Sequence, residues 1–80
     1  MDEKVKSILD YFCYIVGHVM EMNNITQREL AERIGSTQGD VSKYLNGKHV
    51  PSLPMFIKIC LALDVPVDMI LQFNINEVSL

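Results

Sequence analysis

The sequence predicts one all-α domain of five helices. Apolar residues recur at intervals of three and four along most of the chain, and residues that favour helix termini separate the runs. Eighty residues with 49% hydrophobic content suffice for one small core, and nothing in the composition supports a second domain. We expect the domain to occupy residues 1–72, with a C-terminal tail at 73–80.

The first predicted helix extends from Glu3 to about Met22. Its apolar positions follow helical spacing, and Asn23 and Asn24 end the run. The residues expected to face the core are Val5, Ile8, Leu9, Phe12, Ile15, Val16 and Val19.

The second helix is predicted to begin after Thr26. The Thr26 hydroxyl can accept a hydrogen bond from a backbone amide of the first turn, while the Glu29 carboxylate reaches back toward Thr26. This arrangement is called a capping box. Gly35 ends the helix, because glycine adopts a left-handed terminal conformation without steric cost. The buried stripe consists of Leu30, Ala31 and Ile34.

The third helix is predicted to start after Thr37, with Asp40 three residues on, and to stop at Gly47. Its inner face consists of Val41, Tyr44 and Leu45. Two short helices joined by a turn that contains glycine are typical of a helix-turn-helix unit.

Ser52 is predicted to cap a fourth helix, and the segment from Asp64 to Pro66 leads into a short fifth helix through about Leu71. The expected core residues of the fourth helix are Leu53, Phe56, Ile57, Cys60 and Leu63. The tail is expected either to join a dimer interface, as an exchanged strand or a docked extension, or to fray. Its apolar residues are Phe73, Ile75, Val78 and Leu80.

These residues resemble the lambda-repressor-like helix-turn-helix proteins, including the xenobiotic-response-element type of bacterial and phage regulators. The resemblance covers more than half of the chain and depends on the order and spacing of several motifs. The motifs are T-Q-x-E-L-A-x-x-I-G at 26–35, T-Q-x-x-V-S-x-Y-L-N-G-K at 37–48, P-S-L at 51–53, and A-L-D-V-P-V-D at 62–68.

The resemblance implies that the helix at 37–46 enters the major groove of double-stranded DNA. The residues it places toward the bases are Gln38, Gly39, Ser42 and Lys43. A glutamine amide can pair with adenine, and a lysine can donate to guanine or to a phosphate. The residues it places toward phosphates are Thr26, Gln27, Thr37, Asn46, Lys48 and His49.

The distribution of charge along the chain agrees with a DNA partner better than the net charge does. The chain has a net charge of −3, but residues 26–58 carry five cations and three carboxylates, a net charge of +2. The remaining residues carry two cations and seven carboxylates, a net charge of −5. Acid outside the binding unit suppresses nonspecific attachment to DNA without opposing the recognition helix.

Gly39 and the first helix depart from the family pattern. Relatives often have a base-reading side chain where Gly39 stands, so this glycine either lets the helix approach the groove closely or leaves specificity to other residues. Relatives often have basic residues late in the first helix, but this chain has no Lys or Arg between Lys6 and Arg28, and the consecutive apolar residues 11–16 exceed one buried stripe. Together with apolar residues at expected surface positions, this excess predicts a protein interface, most simply with a second copy. Those residues are Met55, Leu61 and Met69.

Other classes of site find little support. Cys13 and Cys60 lack the paired spacing of zinc or redox sites and are expected to be buried free thiols. No cofactor, metal or catalytic set is predicted, so an enzyme is the least favoured class. The longest apolar run, Tyr11 to Val16, is too short to span a bilayer, and a soluble cytoplasmic protein is expected.

We therefore expect a sequence-specific DNA-binding transcriptional regulator that acts as a dimeric repressor. Two alternatives remain open. One is an antitoxin-type regulator whose apolar surface also binds a toxin. The other is a protein-interaction module that keeps the fold without DNA binding.

Overall fold

The computed structural model describes the backbone of residues 2–77 and the side chains of residues 2–72. These residues form five helices without a strand, which confirms the predicted all-α class. The helices are α1 Glu3–Met22, α2 Gln27–Ile34, α3 Gln38–Leu45, α4 Leu53–Ala62 and α5 Val67–Glu77.

The ends of the helices are fixed by local hydrogen bonds. The Asp2 carboxylate accepts from the Lys4 and Val5 backbone amides at 2.7 and 3.3 Å, and Ser52 Oγ accepts from the Met55 amide at 3.3 Å. These bonds satisfy amides that have no partner inside the helix. Asn24 follows α1 with a φ of 54°, a left-handed conformation that asparagine tolerates better than most residues.

One hydrophobic core joins the helices. α1 packs on α3 and α5, and α2 packs on α3 and α4, so α1 and α2 together support α3 from behind. The core consists of Phe12, Val16, Met20, Leu30, Ala31, Ile34, Val41, Phe56, Ile59, Cys60, Leu63, Val65 and Ile70. The predicted inner stripe of α2 is confirmed in full.

The phase of α4 differs from the prediction. Leu53 and Ile57 were expected in the core but are exposed, whereas Ile59 is buried. The inward positions 56, 59, 60 and 63 follow the three-to-four spacing of one face, and a stripe through 53 and 57 lies beside that face. Both sets of positions are apolar in the sequence, so only packing against α2 determines which set is buried.

The first helix also buries a different set from the one expected. Val5, in the first turn of α1, is exposed, and Met20 is buried near the other end of the helix. Cys60 is a buried free thiol as predicted, whereas Cys13 is only half-buried. Met55, expected at the surface, is half-buried against the core.

The last helix is longer than predicted. It continues past Leu71 to Glu77, because residues 72–77 contain neither glycine nor proline. Phe73 and Ile75 therefore lie on helical backbone, which does not fit the exchanged strand considered for the tail. Val78 and Leu80 lie outside the described residues.

Candidate nucleic-acid interface

Both ends of α2 are held by hydrogen bonds. Thr26 Oγ1 accepts from the Glu29 amide at 3.1 Å, and Glu29 Oε1 accepts from the Thr26 amide at 3.3 Å, which completes the predicted capping box. Gly35 has a φ of 69°, and the Ser36 amide donates to the Ala31 carbonyl at 2.9 Å. This pairing is a Schellman motif, and the left-handed residue it requires explains the glycine.

The start of α3 is fixed by two side chains. Thr37 Oγ1 accepts from the Asp40 amide at 3.1 Å, as the capping prediction requires. The Asp40 carboxylate accepts from Ser36 Oγ at 3.0 Å, so it ties the turn to the helix. The turn at 35–37 is therefore hydrogen-bonded both to the end of α2 and to the start of α3.

The structure brings the predicted base-reading residues together on one face of α3. Gln38, Gly39 and Lys43 are exposed and Ser42 is half-buried, while Val41 on the opposite side is buried. Residues 38 and 42, and residues 39 and 43, are each four apart and therefore adjacent along the helix surface. We call this side of α3 its polar face.

Three further polar residues follow at the end of α3. Asn46 Nδ2 donates to Ser42 Oγ at 3.4 Å, so the two side chains lie side by side. The Lys48 and His49 amides both donate to the Lys43 carbonyl, at 2.9 and 3.3 Å. Because these bonds fold the chain back at Gly47, which has a φ of 71°, Lys48 and His49 stay next to the last turn of α3.

His49 is further positioned by Tyr44. Their rings meet edge to face with centroids 6.0 Å apart, while His49 remains exposed. Tyr44 itself is half-buried against the core, consistent with a predicted packing role.

The predicted phosphate contacts at the start of α2 are placed less simply. Gln27 is the first residue of α2 and is half-buried. The Thr26 hydroxyl donates to Glu29 Oε1 at 3.1 Å as well as accepting from the Glu29 amide. Thr26 is thus engaged as a cap, and a phosphate would compete with the Glu29 carboxylate for its hydrogen.

The cations of residues 26–58 are not all on the α3 side. Arg33 Nη1 donates to the Ala62 carbonyl at 3.3 Å, which directs it toward the end of α4, and Lys58 lies on α4 itself. Arg28 Nε lies 3.9 Å from Glu32 Oε1 in a highly exposed pair, which contributes little to stability. Of the five cations, Lys43 lies on α3 itself and Lys48 follows its end.

Sequence reasoning missed a contact behind α3. Cys13 Sγ on α1 donates to the Tyr44 carbonyl at 3.1 Å, at the edge of a mostly apolar cavity of about 240 Å³. Burial, and secondarily the charge of Asp10, raises the pKa of the Cys13 thiol. No local spacing signals this contact, because 31 residues separate its partners.

Two further findings bear on the kind of protein. Among the described residues, no helix is long and apolar enough to cross a membrane. In the same part of the chain, no three His, Cys, Asp or Glu side chains are grouped so that they could hold a metal ion.

Comparison with known proteins gives one match. A family model described as helix-turn-helix matches residues 19–70, from the last turn of α1 into α5. Searches of curated proteins and of solved structures find no match. The matched segment is well over half of the chain and contains the capped α2–α3 unit and the polar face of α3. The chain therefore belongs to the lambda-repressor-like, xenobiotic-response-element type of helix-turn-helix family, whose members are DNA-binding regulators.

Proposed function

We propose that the protein is a homodimeric repressor that recognises a specific DNA sequence by inserting α3 into the major groove. The observation that carries this proposal is the polar face of α3. Gln38, Lys43 and Asn46 are all exposed there, on a helix whose opposite side is anchored in the core by Val41. A rigid helix with adjacent exposed polar side chains meets the geometric requirement for reading base edges.

Each polar group has a role in this proposal. The Gln38 amide pairs with adenine N6 and N7, and Lys43 donates to guanine O6 and N7. Ser42 and Asn46 are already hydrogen-bonded to each other, so Asn46 positions Ser42 at the groove and meets phosphate at its outer edge. Gly39 carries no side chain, which allows the backbone of α3 to lie close to the bases.

Phosphate contacts flank this centre. Lys48 and His49 follow α3 and meet one strand, and the amide-rich start of α2 with Gln27 meets the other. Thr37 and Thr26 primarily cap their helices. Each hydroxyl contacts a phosphate only while it also keeps its hydrogen bond to the capped backbone amide. With two cations beside α3, affinity for any one half-site is modest, so a second copy is needed for tight binding.

Repression is the regulatory effect that requires the fewest additional contacts. A dimer that occupies a site overlapping a promoter excludes the polymerase without any further contact. A palindromic site with half-sites about 34–36 Å apart matches two recognition helices related by a two-fold axis.

The direct test is selection of bound duplexes from a randomised DNA pool by the purified protein at near-physiological salt, because affinity depends steeply on salt. The expected result is an enriched palindrome with half-sites about one helical turn apart. Placing that sequence upstream of a reporter should lower expression when the protein is present. A folded protein that enriches no sequence would contradict the proposal and favour a protein-interaction module.

A further inference from the structure

Five exposed apolar side chains form a surface on the side of α4 and the groove beside it. Leu53, Ile57 and Leu61 lie four residues apart along α4 and are 69%, 37% and 71% exposed. Leu53 also lines a groove with Val5 of α1 and Leu71 of α5, which are 47% and 46% exposed. We call these five residues the α4 surface.

The α4 surface is larger than the isolated apolar residues that most protein surfaces expose. Together its five residues expose on the order of 500 Å², near the upper end of the largest apolar patch on a typical monomer. Two such surfaces would bury about 1,000 Å² in total, the lower limit for a specific interface before any polar rim is added. The groove at Leu53 is lined by no charged residue, which is typical of an interface core. Lys58, the one charged residue of α4, lies beside Leu61 with Glu32 and Arg33 of α2, so these charges would belong to the polar rim.

The order of the residues favours a second copy as the occupant. Leu53 and Leu61 are each four residues from Ile57, so the stripe has nearly the same shape in either direction. If two copies meet across a two-fold axis at Ile57, each Leu53 faces the other copy's Leu61. Such self-complementarity is what a two-fold contact requires, and a ridge of residues four apart packs against its equal at a crossing angle of about −50°.

The position of α4 in the fold is compatible with DNA binding. α3 packs mainly on α1 and α2, whereas α4 packs mainly on α2. None of the five residues of the α4 surface belongs to the polar face of α3. Joining two copies through α4 therefore leaves both recognition helices exposed.

We infer that the α4 surface is the dimer interface, with Ile57 on the two-fold axis and Leu53 packed against Leu61 of the second copy. This inference rests on the proposed homodimer, which does not itself specify a surface. It assigns dimerisation to the side of α4 and the groove beside it rather than to the tail at 73–80 or to the consecutive apolar residues 11–16 of α1.

The test compares charge substitutions on and off the surface in the full chain. Leu53→Glu and Leu61→Glu should each raise the dimer dissociation constant about 100-fold or more, because the carboxylate would be buried without a partner. Tyr14→Glu and Met22→Glu are the controls, since Tyr14 and Met22 are 65% and 70% exposed on α1 outside the surface. Light scattering over a concentration series measures mass, and circular dichroism checks that each variant is folded.

A second variant tests the axis itself. Ile57→Cys should give a covalent dimer on mild oxidation, because its two copies meet across the axis, while the wild type and Tyr14→Cys should not. A wild-type protein that stays monomeric up to about 100 μM, both alone and with its selected DNA, would overturn the inference. So would a dimer that Leu53→Glu and Leu61→Glu leave intact, or one that cross-links through Tyr14→Cys instead.

The outcomes separate this inference from the proposed function. A monomer that still selects a DNA sequence through Gln38 contradicts the α4 interface and the dimer, and leaves base reading intact. A dimer broken by Leu61→Glu that selects no DNA supports the interface and contradicts base reading. If the α4 surface is buried only when an unrelated protein is added, and not by a second copy of this chain, the assignment to a second copy is overturned.

Discussion

Cys13 of α1 donates its thiol hydrogen to the backbone carbonyl of Tyr44 at 3.1 Å, and so links the middle of α1 to the last turn of α3. The Tyr44 carbonyl also accepts from the Gly47 backbone amide at 3.2 Å, so it has a backbone partner at the end of the helix. The thiol is therefore a second donor to the same carbonyl, and it comes from a distant part of the chain. This contact, together with the Tyr44–His49 ring pair, holds the end of the recognition helix against the core.

The first prediction concerns the strength of this link. Cys13→Ala should lower the free energy of unfolding by about 1–2 kcal/mol, because it removes both a hydrogen bond and a half-buried sulfur. Cys13→Ser should lower it less, since a hydroxyl can still donate to the Tyr44 carbonyl. Urea denaturation measures both variants. Equal losses for alanine and serine would show that the hydrogen bond contributes nothing.

The second prediction is the pH dependence of that contribution. Burial raises the pKa of Cys13 in the folded state above the ordinary value of about 9.0. The unfolded chain therefore ionises at a lower pH than the folded one, so the stability associated with the protonated thiol is complete below pH 9 and is lost as the pH rises through the folded pKa.

The comparison with Cys13→Ser isolates this effect from other groups that titrate in alkali. The difference in unfolding free energy between the wild type and Cys13→Ser should be constant near pH 7 and should shift against the wild type above pH 9. Urea denaturation at several pH values gives this difference. A difference that stays constant up to pH 10.5 would contradict the raised pKa of Cys13.

The caps and turns of the fold were predictable from the sequence because each depends on residues three to five positions apart. Thr26 with Glu29, Thr37 with Asp40, and Gly35 are all found as predicted. The polar face of α3 follows from the same local reasoning. Once the start of the helix is fixed, the period of the helix determines which residues share a side with Gln38.

The remaining features depend on tertiary packing that local spacing does not contain. α4 is apolar on two adjacent stripes, so its sequence is compatible with burying Ile57 or Ile59, and contact with α2 selects Ile59. The contact between Cys13 and Tyr44 joins distant parts of the chain. The two cations Arg33 and Lys58 were counted with the binding unit because they are near it in sequence, although the fold directs them toward α4.

The third prediction tests base reading by Gln38. Gln38→Ala should weaken binding to the selected duplex by about 1–3 kcal/mol and should remove the preference for adenine at one position of each half-site. Gln72→Ala is the matched control, because Gln72 is also an exposed helical glutamine but lies on α5. Fluorescence anisotropy with the selected duplex and its single-base variants gives the affinities. Equal losses of affinity for every base variant would exclude a base contact by Gln38.

The fourth prediction concerns Lys43, which can meet either a base or a phosphate. As a reader of guanine, Lys43→Ala should reduce discrimination at one position by about 1–3 kcal/mol. Lys6→Ala is the control, since Lys6 is an exposed lysine on α1 paired with Asp10. Binding measured at several salt concentrations distinguishes the two contacts. A salt slope reduced by about 1 with unchanged base preference would assign Lys43 to a phosphate.

The last prediction uses two helical glycines to test the role of Gly39. A β-carbon added at Gly17 in α1 would have no heavy atom within 4 Å, and one added at Gly39 would meet only Thr37 Oγ1 at 3.8 Å. Neither residue has a positive φ, so alanine fits both positions. Gly17→Ala and Gly39→Ala should each raise the free energy of unfolding by about 0.5–1 kcal/mol, because alanine has the higher helix propensity.

The two variants should differ in DNA binding. If Gly39 allows the backbone of α3 to approach the bases, the added methyl group of Gly39→Ala separates helix and groove and weakens binding to the selected duplex about tenfold, or about 1.4 kcal/mol. Gly17→Ala lies on α1 and should bind as the wild type does. Because both variants are expected to be more stable than the wild type, weaker binding by Gly39→Ala alone cannot be caused by partial unfolding. Wild-type affinity in Gly39→Ala would show that close approach at this position is not needed, and that recognition depends on the neighbouring Gln38 and Lys43.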